Sequence, residues 1–229
     1  MRIATTHNAN SAIRNNLYCL DFYLNTIGSA VNFASSYEIS AVRFIGNRAY
    51  LVMFGDVSPY FIVSLQNHYN PYLLGSFFIS GFTSYIHPYN ENYIMAIGKE
   101  NNNFGIPGLK ISIINVANPS SPIVSASYVY PISTSTSLSL IEHKAFLYNK
   151  AQNYIVVPIT VQFNGMDYLG ALPLKVFPNQ IYPGTFIQHY ENVERSVYIG
   201  NSLYTKSLCL LQVHDTNALD FQGSIQVPC

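Results

Sequence analysis

Hydrophobic and polar residues alternate through most of this chain, in short runs that turn residues separate. The clearest runs are RAYLVMF, PYFIVSL, YIMAIG, LKISIINV, YIVVPITVQF and YLGALPLKVF. They are rich in β-branched and aromatic side chains, and clusters such as IGN, NHYNP, PYNEN and ANPSSP lie between them. Short strands at about ten-residue spacing, with almost no helical periodicity, predict an all-β sandwich, barrel or propeller.

Internal repeats favour the propeller. AVRFIGNRAYLVMF (41–54) and RSVYIGNSLYTKS (195–207) both run apolar residues into an Ile-Gly-Asn turn. LQNHYNP (65–71) and VANPSSP (116–122) share Asn at the third position and Pro at the seventh. Gly-Ser pairs recur at Gly28-Ser29, Gly75-Ser76 and Gly223-Ser224. Four strands in each period of about 45 to 60 residues are typical of propeller blades, which bury their faces against one another.

The repeats divide a single propeller domain, residues 1–229, into about five four-stranded antiparallel blades. The approximate bounds are 2–40, 41–83, 84–138, 139–192 and 193–229. The first unit lacks an innermost strand, because RIATTHN already has the pattern of a second strand. Proteins rarely leave the sheet edges of an incomplete blade uncovered. We therefore expect either an irregularly closed five-blade ring or the C-terminal arc of a larger propeller, and we favour the arc.

The composition predicts a surface that is poor in charge. Only 10% of the 229 residues are charged, and the chain has 11 basic and 11 acidic residues, 19 Tyr and no Trp. Ordinary soluble domains carry about 25% charged residues. Without a basic stripe to neutralise phosphates, a nucleic-acid partner is disfavoured. A surface of Tyr, Asn, Ser and Thr fits an extracellular or assembled protein better than a cytosolic one.

The cysteines and the N-terminus give weaker signals. Cys19, Cys209 and Cys229 are far apart and form no C-x-x-C motif, so three unpaired thiols are the favoured interpretation and one bridge is the alternative. MRIATTHNANSAIRNN has no apolar core of a signal peptide, and no window approaches 18 uninterrupted apolar residues. We expect no transmembrane helix, and an export signal would have to lie outside this chain.

No catalytic or cofactor motif is present. The sequence contains no G-x-S-x-G, phosphate-binding loop, G-x-G-x-x-G or H-E-x-x-H motif, and its six histidines lack ligand spacing. We therefore predict no catalytic residue, no metal site and no cofactor. His87 and His143 are a weak candidate for a metal pair, because no third ligand is evident.

Basic residues of the innermost strands form the one candidate binding site. Side chains alternate along a strand, so residues at odd distances from the hairpin turn share a face. Arg43, His87, Lys144 and Arg195 all lie at odd distances, and a one-residue slip would turn His143 inward in place of Lys144. These groups would converge on the axial channel, where a carboxylate, sulfate or phosphate would bind. The favoured alternative is structural, because channel positions are wet and Glu142 and Glu194 are at hand for ion pairs.

Several segments in order resemble a known family. They are VRFIGNRAYLVMF, NPYLLGSFFISGFTSYIHPYNENYIMAIGKE, GLKISIINVANPSSP, EHKAFLYNK and RSVYIGNSLYT. The chain resembles secreted archaeal and bacterial proteins that carry a C-terminal β-propeller distantly related to WD repeats. The resemblance implies a propeller, an extracellular setting and a missing N-terminal portion. The family often has Asp before its Asn/Ser-Pro turn, where this chain has Ser64 and Asn115, and this departure argues against acidic cation sites there.

Two functions follow as hypotheses. The first is an extracellular or cell-surface propeller that binds a protein partner or self-assembles, without catalysis. The second is an enzyme or a small-anion receptor that uses the axial channel. A weaker third possibility is a remnant of a larger protein with no role of its own.

Overall fold

The computed structural model describes residues 1–9, 12–55, 57–100 and 108–229. Within these ranges the chain forms five antiparallel sheets, which we call blades 1 to 5. Blade 1 contains β1 (Arg2–Ala9), β2 (Ala12–Leu20) and β3 (Thr26–Phe33). Blade 2 contains β4 (Ile39–Ile45), β5 (Arg48–Met53), β6 (Val57–Ser64) and β7 (Tyr72–Ser80). Blade 3 contains β8 (Phe82–Pro88), β9 (Tyr93–Lys99), β10 (Leu109–Asn115) and β11 (Ile123–Val129).

Blades 4 and 5 complete the described architecture. Blade 4 contains β12 (Leu147–Asn149), β13 (Tyr154–Phe163), β14 (Met166–Phe177), β15 (Gln180–Pro183) and β16 (Ile187–His189). Blade 5 contains β17 (Val193–Ile199), β18 (Ser202–Ser207), β19 (Leu210–Asp215) and β20 (Phe221–Gln226). Apart from β16, which pairs with β14, neighbouring strands in each sheet follow chain order. The predicted all-β fold of about five antiparallel propeller blades is confirmed.

Consecutive blades bury their faces against each other. In β5, Leu51 and Met53 belong to the core between blades 1 and 2, whereas Tyr50 and Val52 belong to the core between blades 2 and 3. Two further cores join blade 3 to blade 4 and blade 4 to blade 5. Because both faces of β5 are buried, its residues 49–53 form a continuous apolar run. No apolar core among the described residues joins blade 5 to blade 1.

A repeated hydrogen bond identifies the strands of blade 1. In the other blades, a backbone N–H at the end of the third strand or just after it donates to the carbonyl of the residue directly before the second strand. These bonds are Leu65 to Asn47, Val116 to Asn92, Val176 to Asn153 and Thr216 to Asn201, each 2.8 Å. In blade 1 the same bond runs from Leu20 N to Met1 O, also at 2.8 Å. This equivalence assigns β1 as a second strand, and the described part of blade 1 has no innermost strand.

Blade 4 departs from the predicted pattern at EHKAFLYNK. An inner strand is expected there, but two 3₁₀ helices occupy Leu138–Leu140 and His143–Ala145, and β12 is only three residues long. The inner edge of β13 is completed further along by Thr136, which exchanges two backbone hydrogen bonds with Thr160. Between these segments lies Pro158, which has no N–H to donate to an inner strand. The Pro158 carbonyl instead accepts a hydrogen bond from the Ser137 hydroxyl.

A disulfide joins Cys209 and Cys229, whose Cα atoms are 5.0 Å apart. It ties the start of β19 to the segment after β20, where Val227 N also donates to Cys209 O. Cys19 is a free, buried thiol in the core between blades 1 and 2. The interpretation of three unpaired thiols was therefore wrong, because the antiparallel β19–β20 hairpin brings together two cysteines that are distant in sequence. Within the described ranges, no helix has the length and apolar character needed to span a bilayer.

Candidate functional site

The inner strands of blades 2 and 3 and the 3₁₀ helix His143–Ala145 of blade 4 bring polar side chains together around Tyr85. The Arg43 guanidinium lies 4.7 Å from the centroid of the Tyr85 ring, within range of a cation–π interaction. The Tyr85 hydroxyl and His87 Nδ1 share a hydrogen bond of 3.0 Å. The His143 ring stacks on Tyr85 at a centroid distance of 6.2 Å. Three of the five predicted channel residues, Arg43, His87 and His143, therefore contact one aromatic ring.

The other two predicted residues lie beside Glu142. Arg195 forms a half-exposed ion pair with Glu142, with Nη2 3.7 Å from Oε2. The backbone N–H of Lys144 donates to Glu142 Oε1, and its side chain is exposed. Lys144 and His143 both belong to the second 3₁₀ helix, and His143 is the one that contacts the neighbouring blade.

Two of the predicted cations already have partners within the fold. Arg43 Nε donates to the Ile86 carbonyl at 2.8 Å, and Arg195 pairs with Glu142. Burial, with a smaller contribution from the positive charge of Arg43, lowers the pKa of His87 to about 4. His87 is therefore a neutral imidazole near pH 7. The cluster presents less free positive charge than its composition suggests.

Aromatic residues form a wall beside this cluster. The His87 ring lies 5.5 Å from Tyr148 and 4.9 Å from Phe146, and Tyr148 lies 5.9 Å from Tyr89. Beside this wall, a cleft of about 860 Å³ opens at the ends of the inner hairpins. The position of Tyr85 in the sequence indicates that it belongs to this cluster, because it stands two residues before His87 and so lies on the same face of the strand.

The described residues hold no cluster of three His, Cys, Asp or Glu side chains that would bind a metal ion. His87 and His143 approach each other only through the ring of Tyr85. No third ligand joins them in the described ranges. The arrangement is an aromatic and polar cluster that contains the guanidinium of Arg43 and the neutral imidazole of His87.

Comparison with known proteins identifies the family. The profile of the Beta propeller domain matches residues 1–219. This chain belongs to the β-propeller domain family. An uncharacterised protein of Methanocaldococcus jannaschii is 31% identical over 220 residues, which are 95% of this chain and 33% of that protein. An uncharacterised protein of Archaeoglobus fulgidus is 29% identical over 227 residues, 99% of this chain and 33% of that protein. This propeller chain thus spans about a third of the length of the curated relatives it matches.

Solved structures share the fold at low sequence identity. The tricorn protease aligns with 96% of this chain and 25% of its own, at a TM-score of 0.52 and 8% identity. A protein from Lactobacillus plantarum aligns with 99% of this chain and 67% of its own, at a TM-score of 0.51 and 11% identity. These similarities support the propeller architecture alone.

A buried histidine lies between blades 4 and 5 of the propeller. His189 is 3% exposed, and its Nδ1 and Nε2 contact the hydroxyls of Ser207 at 3.1 Å and Thr205 at 2.9 Å. His214 is buried nearby and 6% exposed. Burial, with a smaller contribution from His214, lowers the pKa of His189 to about 4. Residue spacing does not indicate this pair, because its members are 25 residues apart in the chain and come together only through blade packing.

This propeller is expected to lose stability in mild acid. Since the pKa of His189 is lower in the folded chain than the usual value of about 6.5, its contribution is complete above about pH 6.5 and is lost as the pH falls towards 4. His189 alone should lower the free energy of unfolding by about 2–3 kcal/mol between pH 7 and about pH 4.5, and His87, whose pKa is also lowered to about 4, adds to this fall. Urea unfolding at the two pH values measures this change. His189→Gln, which keeps a neutral hydrogen-bonding group, should show a smaller pH dependence; an equal dependence would refute the assignment to His189.

Proposed function

We propose that this chain is an assembly module, an arc of propeller blades whose open end packs against a further blade. The apolar outer face of blade 5 is the observation that carries the proposal. On this face Val197, Ile199 and Ile225 are 50, 66 and 59% exposed. Strand register places on the same face Tyr204, Leu211, Val213 and Gly223, together with the polar residues Ser202, Lys206 and Asp215. A contiguous exposed apolar sheet face is typical of an interaction surface.

The glycines of the outer strands indicate what covers this face. In blades 1 and 2, a Cβ at Gly28 or Gly75 would clash with a backbone carbonyl, that of His68 or of Pro119. Both carbonyls belong to the turn between the third and fourth strands of the following blade. A Cβ at Gly223 would meet no atom within 4 Å. Blade 5 therefore has the groove that receives such a turn, and the matching occupant is another propeller blade.

Two further observations support a blade as the partner. The corresponding turn of blade 1 is uncovered, with Phe22 93% and Tyr23 81% exposed. The archaeal relatives are about three times as long as this chain, since the matched region is 33% of each. In those relatives, polypeptide beyond the matched region is a natural source of further blades. In a purified sample of this chain, the blades available to pack against blade 5 are those of other copies.

Light scattering over a range of concentrations tests the assembly proposal. We expect the purified chain to associate reversibly, because a second copy offers an uncovered turn to the Gly223 groove. Gly223→Val should shift the chain to monomer, since its side chain projects into the groove from a Cβ that meets no atom of the described fold within 4 Å. Ser224→Val is the matched control, because its side chain lies on the opposite face of β20. A strict monomer at every concentration, or unchanged association of Gly223→Val, would count against the proposal.

An extracellular or cell-surface location is part of the same proposal. The Cys209–Cys229 disulfide and the low charge content support it, because disulfides persist mainly in oxidising compartments. Fractionation of the native cells, combined with thiol titration, tests it. We expect the protein in the medium or surface fraction with one titratable thiol, Cys19. Recovery from the cytosol with three reduced cysteines would contradict it.

A further inference from the structure

We propose that the cleft at the hairpin ends of blades 2 to 4 binds a neutral sugar. Its volume, about 860 Å³, lies within the usual range of small-ligand sites. The hairpin turn of blade 2, the loop after β8 and the end of β12 converge around it. The proposal is independent of the assembly function, because the cleft lies between blades 2, 3 and 4 and the docking face lies on blade 5.

An aromatic wall lines one side of this cleft. Tyr148 is half-buried between His87 and Tyr89, at centroid distances of 5.5 and 5.9 Å. Rings that combine an apolar face with a polar tip suit ligands with the same dual character. A pyranose ring has this dual character, because its C–H groups form an apolar face and its hydroxyls lie around the rim.

Polar groups around the cleft carry little net charge. Glu91 and Lys150 are exposed at its rim, and neither forms an ion pair within the described part of the chain. The Arg48 guanidinium also lines the cleft, and its Nη1 donates to the Val116 carbonyl at 2.8 Å. The carboxylate of Glu91 and the ammonium group of Lys150 offer both acceptors and donors, and the further cation in the lining, Arg48, already has a partner in the fold. These groups match the hydroxyls of an uncharged ligand.

The aromatic groups are also uncharged near pH 7. Burial, with a smaller contribution from Tyr89, raises the pKa of Tyr148 to about 12, so its hydroxyl stays protonated and can donate. His87 is neutral because burial lowers its pKa to about 4. A neutral donor on a stacking surface favours a sugar hydroxyl over a phosphate or sulfate oxygen, which gains most from charged donors.

Glycan-array binding by the labelled 229-residue chain tests the proposal, with neutral and acidic glycans on the same surface. We expect neutral glycans to be retained, and the best of them to bind in titration with a dissociation constant of about 1 mM or tighter. Tyr148→Ala should weaken this binding at least about tenfold, and Tyr148→Phe, which keeps the ring, should weaken it less. Glu91→Gln is a second test and should also weaken binding. Because Glu91 is exposed at the rim, this substitution does not disturb the fold. Tyr182→Ala, at an exposed tyrosine of β15, is the matched control and should bind normally.

Three results would overturn the sugar site. The array shows no retained glycan, or only acidic glycans are retained, or Tyr148→Ala and Glu91→Gln both bind as the native chain does. The second result would instead favour the anion-receptor hypothesis for the axial channel. Since Gly223→Val leaves the cleft intact, its sugar binding should equal that of the native chain, so failure of the assembly proposal and failure of this one are distinguishable.

Discussion

Replacing Glu100 by alanine is expected to lower the free energy of unfolding by about 3–5 kcal/mol, because it leaves a buried ammonium group without its carboxylate. Lys110 is 8% exposed, and its Nζ lies 2.5 Å from Glu100 Oε2. Nζ also donates to the carbonyl and hydroxyl oxygens of Ser80, at 2.9 and 2.7 Å. Ser80 ends blade 2, so the ammonium group links two neighbouring blades.

Urea unfolding of matched variants measures this effect. The half-exposed Lys206–Glu194 pair provides the control, and Glu194→Ala should cost less than about 1 kcal/mol. The double variant Glu100→Leu with Lys110→Met should recover most of the loss, since an apolar pair removes the uncompensated charge. A loss for Glu100→Ala no larger than that for Glu194→Ala would show that the buried charge is accommodated in another way.

Substitution of Gly75 by alanine should cost about 3 kcal/mol, because two blades meet there backbone to backbone. The new Cβ would fall far inside van der Waals contact of the Pro119 carbonyl oxygen and lie 3.0 Å from Ser120 Cα. Backbone atoms of a neighbouring turn move only if the blades separate. The blade interface would therefore loosen.

Gly223 provides the internal control for this effect. Its Gly-Ser pair repeats that of Gly75, yet an added Cβ there would meet no atom within 4 Å. Gly223→Ala should leave stability unchanged or raise it by about 0.4–1 kcal/mol, through the lower entropy of the unfolded chain. Thermal unfolding at a concentration where the chain is monomeric compares the two. Equal melting temperatures for the two variants would refute the close approach at Gly75.

Local sequence was sufficient to predict the repeating architecture. Alternating runs and Ile-Gly-Asn turns specify hairpins, and the turn glycines Gly46 and Gly200 do adopt positive φ, at +54° and +57°. Inner strands such as RAYLVM are apolar on both faces, which fits blades that are covered on each side. The predicted fold class depended on these short-range features, and it was correct.

Features that depend on more distant contacts were harder to predict. The prediction of an inner strand in blade 4 was wrong because Pro158 interrupts the partner strand. Local caps at Ser137 and Glu142 also favour 3₁₀ turns over an extended backbone. Parity placed Arg43 and His87 in their strands, but it gave no means of seeing that Tyr85 would gather them with His143. The Cys209–Cys229 disulfide likewise arises from the pairing of two strands, and cysteine spacing alone does not encode it.

The serial arrangement of the cores has a consequence for how the arc unfolds. Each apolar core is shared by two adjacent blades only, so the energetics resemble those of a linear chain of nearest-neighbour couplings. An end blade has one coupling where an interior blade has two, and it is therefore the first to fray. At the blade 5 end the cysteine cross-link holds the outer hairpin closed while the coupling to blade 4 opens. Cooperative unfolding should thus begin at blade 1, the end that has no disulfide in the described fold.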